Sequence, residues 1–175
     1  MKPEIIGLTL VVAAVAGWMD WRFRRIPNWL TVPASVVGIA ANAWLSGWSG
    51  VKSSLLGALL GLGVLLPFVL VRSLGAGDWK LVGALGALFG PSQLWNALAL
   101  TILVAGLMAL GLIVWKGRVW QTARNILHIA ASLFSLHLPG PEVSLDSPES
   151  QKIPFGVAVT VAVVLVAARQ IWERT

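Results

Sequence analysis

Ser73-Leu74-Gly75-Ala76-Gly77-Asp78-Trp79-Lys80-Leu81 is a glycine-rich turn that delivers one carboxylate between two strongly apolar stretches. Two glycines two residues apart let the backbone bend tightly and approach other atoms closely. An acid among apolar segments is costly unless it faces protein or water, so Asp78 invites a functional reading. Apart from Glu4 at the extreme start, one other acid in the first 140 residues lies against an apolar segment, and that is Asp20. Asp20 and Asp78 are the candidate reactive pair.

Outward from this turn the chain is apolar in both directions. It is 57% hydrophobic and 11% charged, with a mean hydropathy of +0.82. A soluble domain is about 45–50% apolar and about 25% charged. Apolar runs recur from end to end, with no polar block long enough for a separate soluble domain. The expectation is one all-α, polytopic membrane domain over residues 1–175, with the lipid bilayer as its surroundings. The net charge of +6 would raise the question of nucleic acid in a soluble chain. Here the basic residues gather in short loops between apolar runs, which suits membrane topology, and no nucleic-acid partner is expected. The absence of cysteine excludes disulfides, thiolate zinc sites and cysteine nucleophiles. Ten tryptophans accompany no tyrosine, and Trp18, Trp21, Trp29, Trp44, Trp48, Trp115, Trp120 and Trp172 lie near run ends, as interface anchors do.

The first apolar run extends from Ile5 to Met19. Lys2 and Ala14-Val15-Ala16 imitate a signal peptide with its cleavage site. The run continues through Trp18 and Met19, however, and Arg22, Arg24 and Arg25 follow at once, so a retained first helix is expected. Asp20 then falls at the edge of the membrane. Pro27 stops this helix and Asn28 is a candidate cap for the next. The second run covers Trp29 to Leu45, and Ser46 to Gly50 reads as a turn. The third covers Leu55 to Val71, with Gly57 and Gly61 at a spacing that permits close helix contact and Pro67 as an expected kink. The fourth, Trp79 to Phe89, is too short to cross a bilayer, which places Asp78 at depth, in a wet cavity or within protein. Gly83, Gly86 and Gly90 leave one side of it small, suited to the middle of a bundle. Leu94 to Trp115 is long enough to span. Residues 116–152 are expected to form a cytoplasmic loop, with apolar residues at helical spacing from Trp120 to Leu138 marking a candidate interfacial helix. Ile153-Pro154-Phe155-Gly156 opens the last run, which ends at Ile171.

Six helices with both termini outside put the loops bearing Arg22, Arg24, Arg25, Arg72, Lys80, Lys116, Arg118, Arg124 and Lys152 on one side. These are nine of thirteen basic residues, and the positive-inside rule makes that side cytoplasmic. Asp20 and Asp78 then lie at the same face of the membrane.

Two carboxyl groups close together in a site of low polarity cannot both ionise easily, so the pair shares a proton. The ionised member can take a proton from water while the neutral one polarises a carbonyl oxygen. Peptide hydrolysis by this route needs no covalent intermediate, no cofactor and no metal. His128 and His137 are nine residues apart, beyond the one-face spacing of a helical metal pair, and read as surface residues.

Gly75-Ala76-Gly77-Asp78, followed by Lys80, resembles the GxGD motif of intramembrane aspartyl proteases, and the wider pattern resembles the type IV prepilin peptidases. That family has its first aspartate in a D-x-R-x-R-x-I-P-N setting, matched by Asp20 to Asn28. Its second lies in GxGDxK, matched by Gly75 to Lys80. Its last helix begins near P-[FY]-G, matched by Pro154-Phe155-Gly156. The resemblance implies an inner-membrane aspartic endopeptidase that removes the basic leader of prepilins or pseudopilins at the cytoplasmic face. Asp20 and Asp78 would be its catalytic dyad, with Gly75, Gly77 and Lys80 shaping the site. The larger members also N-methylate the new N-terminus and carry a cytoplasmic region with paired cysteines. This chain has no cysteine and resembles the short, peptidase-only form that accompanies Tad/Flp-type pili.

Blander readings compete. Asp78 could cap the fourth helix, since Asp is a favoured N-cap residue. Asp20 could pair with Arg24 one turn on, although an acid at a helix C-terminus opposes the macrodipole. A small transporter could use the two acids as a proton relay, but would place them near the midplane and show an internal repeat. A non-enzymatic component of a secretion or pilus machine would tolerate Asn at either position.

Overall fold

The computed structural model of the chain describes residues 2–71, 74–117 and 154–173, together with Trp120 and Arg124. All regular structure among them is helical: α1 (Pro3–Phe23), α2 (Asn28–Leu70), α3 (Ala76–Phe89), α4 (Pro91–Trp115) and α5 (Phe155–Trp172). Four of these, α1, α2, α4 and α5, are long and apolar enough to cross a membrane. The short fourth apolar run is α3, whose 14 residues make about 21 Å of helix. The expected interfacial helix and most of the 116–152 loop, including His128 and His137, lie outside the described residues, as do Arg72 and Ser73.

The expected second and third helices form one element, α2, of 43 residues, interrupted by non-helical torsions at Gly47 (φ 61°, ψ −143°). The positive φ there is one that glycine adopts without a Cβ clash. The chain doubles back at this point. A Cβ built on Gly50 would lie 2.0 Å from the Asn42 carbonyl oxygen, whereas residues eight apart in a straight helix are about 12 Å apart. Contacts with α3 agree: Asn28 pairs with Lys80 and Gly38 abuts Leu88, so the first half of α2 runs parallel to α3. Gly57 abuts Gly86, and Gly61 abuts Val82, so the second half runs antiparallel. Pro33 and Pro67 lie inside α2 without breaking its torsions. The break at Gly47 lies within the turn expected at Ser46 to Gly50, whereas the torsions at Pro67, where a kink was expected, stay helical.

Helix α3 runs through the middle of the bundle. Every residue from Leu81 to Phe89 is buried. Where lipid surrounds a bundle, helices are held by close packing rather than by release of water, and small residues allow that packing. Reciprocal contacts at Gly57 and Gly86 bring backbone against backbone, each potential Cβ lying 2.1 to 2.2 Å from the other residue's carbonyl oxygen. At the far end of α3, Asn42 Nδ2 donates to the carbonyls of Ala87 and Leu88 at 3.2 and 3.1 Å, serving acceptors that a helix C-terminus leaves without intrahelical partners. Lys2 Nζ donates to the Leu45 carbonyl at this same end of the bundle. The outer surface is apolar, with Trp44, Leu70, Ile102, Val114, Trp115 and Trp172 exposed among many.

Candidate active site

The loop between α1 and α2, the start of α3 and the start of α5 meet at the end of the bundle opposite Gly47. Asp20 lies one turn inside the C-terminus of α1, which continues to Phe23 and closes on Arg24 in the left-handed conformation (φ 53°). Asp20 is 7% exposed. The carboxylate oxygen Oδ2 accepts a hydrogen bond of 2.7 Å from the backbone N–H of Gly156, the second residue of α5. The first N–H groups of a helix lack intrahelical acceptors and carry the positive end of its dipole. The start of α5 thus offsets what the C-terminus of α1 disfavours. Arg24 is near enough to act on Asp20 electrostatically, as an acid and base one helical turn apart should be.

Asp78 is half-buried in the first turn of α3. The helix N-cap is Gly75, not Asp78. Asp78 is the third helical residue, and its carboxyl reaches back to accept a hydrogen bond from the Gly75 N–H. This is the acidic half of a capping box. Gly75 has ordinary extended torsions (φ −69°, ψ 142°), so it is required for space rather than for a left-handed turn. A Cβ there would lie 3.0 Å from Asp78 Oδ2. Gly77 serves the same purpose toward the loop, where a Cβ would lie 3.2 Å from the Ile26 carbonyl oxygen. The carboxyl groups of Asp20 and Asp78, far apart in sequence, lie within range of each other's charge.

Lys80 is exposed and donates to Asn28 Oδ1 at 3.0 Å, tying α3 to the start of α2. Two further residues, one at the start of α3 and one at the start of α5, were not legible in advance. Trp79 Nε1 donates to the Leu62 carbonyl at 2.7 Å, so this tryptophan clamps the start of α3 to α2. Gly156 was visible only as part of a motif, because its pairing with Asp20 spans 136 positions. Among the described residues no three His, Cys, Asp or Glu side chains converge to hold a metal ion.

A cavity of about 450 Å³ opens between α1, α4 and α5, with Gly17, Trp18, Trp21, Met108, Pro154 and Thr160 in its wall; neither Asp20 nor Asp78 lines it. Trp18 and Trp21 meet edge to face there, with ring centroids 5.8 Å apart. The lining is almost wholly apolar, suited to a hydrocarbon surface rather than a polar ligand.

The profile of the Type IV leader peptidase family matches residues 7–114, a stretch that includes both acids, all of α2 and α3 and most of α4. The chain belongs to this family. Two curated relatives, each named "Prepilin leader peptidase/N-methyltransferase", come from Burkholderia pseudomallei strains 1026b and K96243. Each is 32% identical over 65% of this chain. The chain spans 38% of the length of each relative. No solved structure matches the chain.

Proposed function

We propose that this member of the leader peptidase family is an intramembrane aspartic endopeptidase that cleaves the leader of type IV prepilins or pseudopilins, with Asp20 and Asp78 as its dyad. The observation that carries the proposal is the approach of these two carboxyls, one held by the start of α5 and the other by the start of α3. Family membership and the relatives' printed names point to the substrate class. In the reaction, water attacks the scissile carbonyl carbon as the ionised carboxylate takes its proton. The neutral carboxyl gives its proton to the carbonyl oxygen. The tetrahedral gem-diol then collapses: the departing nitrogen takes a proton from the carboxyl that accepted one from water, the C–N bond breaks, and one gem-diol hydroxyl returns its proton to the other carboxylate. One new carboxyl and one new amine result, and the dyad returns to its shared-proton state.

With α2 folded back at Gly47, the described helices would make six passes of one membrane domain, α3 being the short one. Both acids lie at the end of the bundle that the basic loops make cytoplasmic. The bacterial inner membrane is the proposed location. The apolar cavity between α1, α4 and α5 would receive the hydrophobic segment that follows the scissile bond, while the basic leader stays at the cytoplasmic surface. Gly75 and Gly77 shape the site by allowing close approach, and Lys80 does so by fixing the start of α3 through Asn28. The methyl-transfer activity in the relatives' names is not carried over.

The test is incubation of the protein, reconstituted in lipid, with a purified prepilin, followed by mass spectrometry of the product. The expected product begins directly before the apolar segment and carries an unmethylated amine. An uncut prepilin, or a cut within the apolar segment, would overturn the proposal.

A further inference from the structure

The start of α5 carries no acid or base of the dyad, yet its first turn packs directly against Asp20. Gly156 N–H donates to Asp20 Oδ2. A Cβ on Gly156 would lie 2.8 Å from Asp20 Cβ, 3.1 Å from Oδ2 and 3.3 Å from the Ala16 carbonyl oxygen. No residue other than glycine leaves both the side chain and the N–H of position 156 room to meet this carboxylate. On α1 the facing position is Gly17, where a Cβ would lie 2.2 Å from Thr160 Oγ1 and 3.3 Å from the Gly156 carbonyl oxygen. The Thr160 hydroxyl is placed to donate to the Ala13 carbonyl across the interface at 2.6 Å or to the Gly156 carbonyl on its own helix at 2.8 Å. Two glycines and one short hydroxyl side chain therefore set how near the two helices come, over the single turn that bears Asp20.

From this geometry we infer that the first turn of α5 aims Asp20, with Gly156 as a positioning residue and Gly17 and Thr160 as the spacer that lets it reach. The inference rests on the proposed dyad. Gly156 holds one carboxylate oxygen and leaves Oδ1 for proton exchange with water. A carboxylate free to rotate about its side-chain torsions would present either oxygen in several directions. Hydrolysis requires the accepting oxygen within hydrogen-bond reach of the attacking water, and loss of that alignment lowers the rate of the chemical step. Binding of the substrate's apolar segment does not involve this hydrogen bond, so the effect belongs in kcat and not in KM. The same contact explains why a Pro-x-Gly sequence opens α5. Pro154 is the N-cap, with its extended torsions leading into the helix, and Gly156 is the second N–H, one of those left without an intrahelical acceptor.

The experiment compares wild type, Asp20→Asn, Gly156→Ala, Gly17→Ala and the double variant Gly17→Ala/Thr160→Ala in lipid, with rates scaled to inserted protein. Gly156→Ala keeps the N–H but puts a methyl group against Asp20. We expect kcat to fall roughly 10- to 100-fold, the range for losing a hydrogen bond to a charged group, with KM within about 3-fold of wild type. Gly17→Ala should show the same kcat defect through collision with Thr160, and removing the hydroxyl in the double variant should restore at least about 5-fold of it. Such rescue separates spacing from a general loss of folding. A wild-type kcat in Gly156→Ala overturns the inference, as does a loss confined to KM. Should Gly156→Ala fail to insert, the Gly17/Thr160 pair decides: no rescue overturns it. If Asp20→Asn itself still cuts, it is the proposed dyad that fails, and the variants' kcat values are then independent of Asp20.

Discussion

Gly86→Ala would test whether the crossing of α2 and α3 holds Asp78 in place. The added Cβ would fall 2.2 Å from the Gly57 carbonyl oxygen and 2.5 Å from its carbon, with the Ala58 nitrogen at 2.9 Å. All three atoms are backbone, so no side chain can turn aside, and the helices must part by about 1 Å to reach ordinary contact. Overpacking of this kind costs typically 1–3 kcal/mol, and a backbone-on-backbone collision belongs at about 3 kcal/mol. The alanine returns about 0.5–1 kcal/mol of helix propensity, leaving a net loss of roughly 2 kcal/mol. Gly63→Ala, one turn from the crossing and with open space around its potential Cβ, gains the propensity alone. The two variants should differ by about 3 kcal/mol, or roughly 6–12 °C in melting temperature for a chain of this size. Thermal unfolding in detergent, followed by tryptophan fluorescence, reads this difference. Gly86→Ala should also cut prepilin more slowly, because a shift of about 1 Å in a reacting group can cost 100-fold. Equal melting temperatures for the two alanine variants would refute the packing at Gly57 and Gly86.

Trp79→Phe keeps an aromatic ring, though a smaller one, and removes the donor to the Leu62 carbonyl. It should lower stability by about 1 kcal/mol and reduce kcat several-fold as the first turn of α3 loosens, measured by melting and by initial rates; unchanged values of both would show that the clamp is idle. Met108→Trp fills part of the cavity between α1, α4 and α5, whose wall includes neither carboxyl. KM for prepilin should rise at least about 5-fold with kcat little changed, and an unaltered KM would show that the substrate's apolar segment docks elsewhere.

The spans were legible because apolar runs long enough to cross a membrane are seldom anything else. The place of α3 was legible too, since Gly83, Gly86 and Gly90 remove the side chains that would keep a neighbour away, and a 14-residue helix cannot cross alone. What stayed hidden depends on contacts between distant segments. The reversal at Gly47 falls within the expected Ser46 to Gly50 turn, but nothing local indicates that helical hydrogen bonding runs up to it from both sides. Gly75 and Gly77 looked like bending residues, but their torsions are unexceptional and their use is to admit the Asp78 carboxyl and the Ile26 backbone. Asp78 looked like an N-cap and is instead three residues further on, because the helix begins on Gly75. Asp20 was puzzling at the C-terminus of its own helix, and the group that accommodates it, the Gly156 N–H, comes from the far end of the chain.

The most direct test of the central claim is cleavage of a co-expressed prepilin, followed by gel shift, with wild type, Asp20→Asn and Asp78→Asn side by side and their insertion verified. Asn preserves size and much of the hydrogen bonding at each position but cannot exchange the proton. If the two carboxyls form the reacting pair, the wild type converts prepilin to the shorter form and both variants, though inserted, leave it at full length. Conversion at a comparable rate by either variant would contradict the dyad and leave that acid as a helix-start or packing residue.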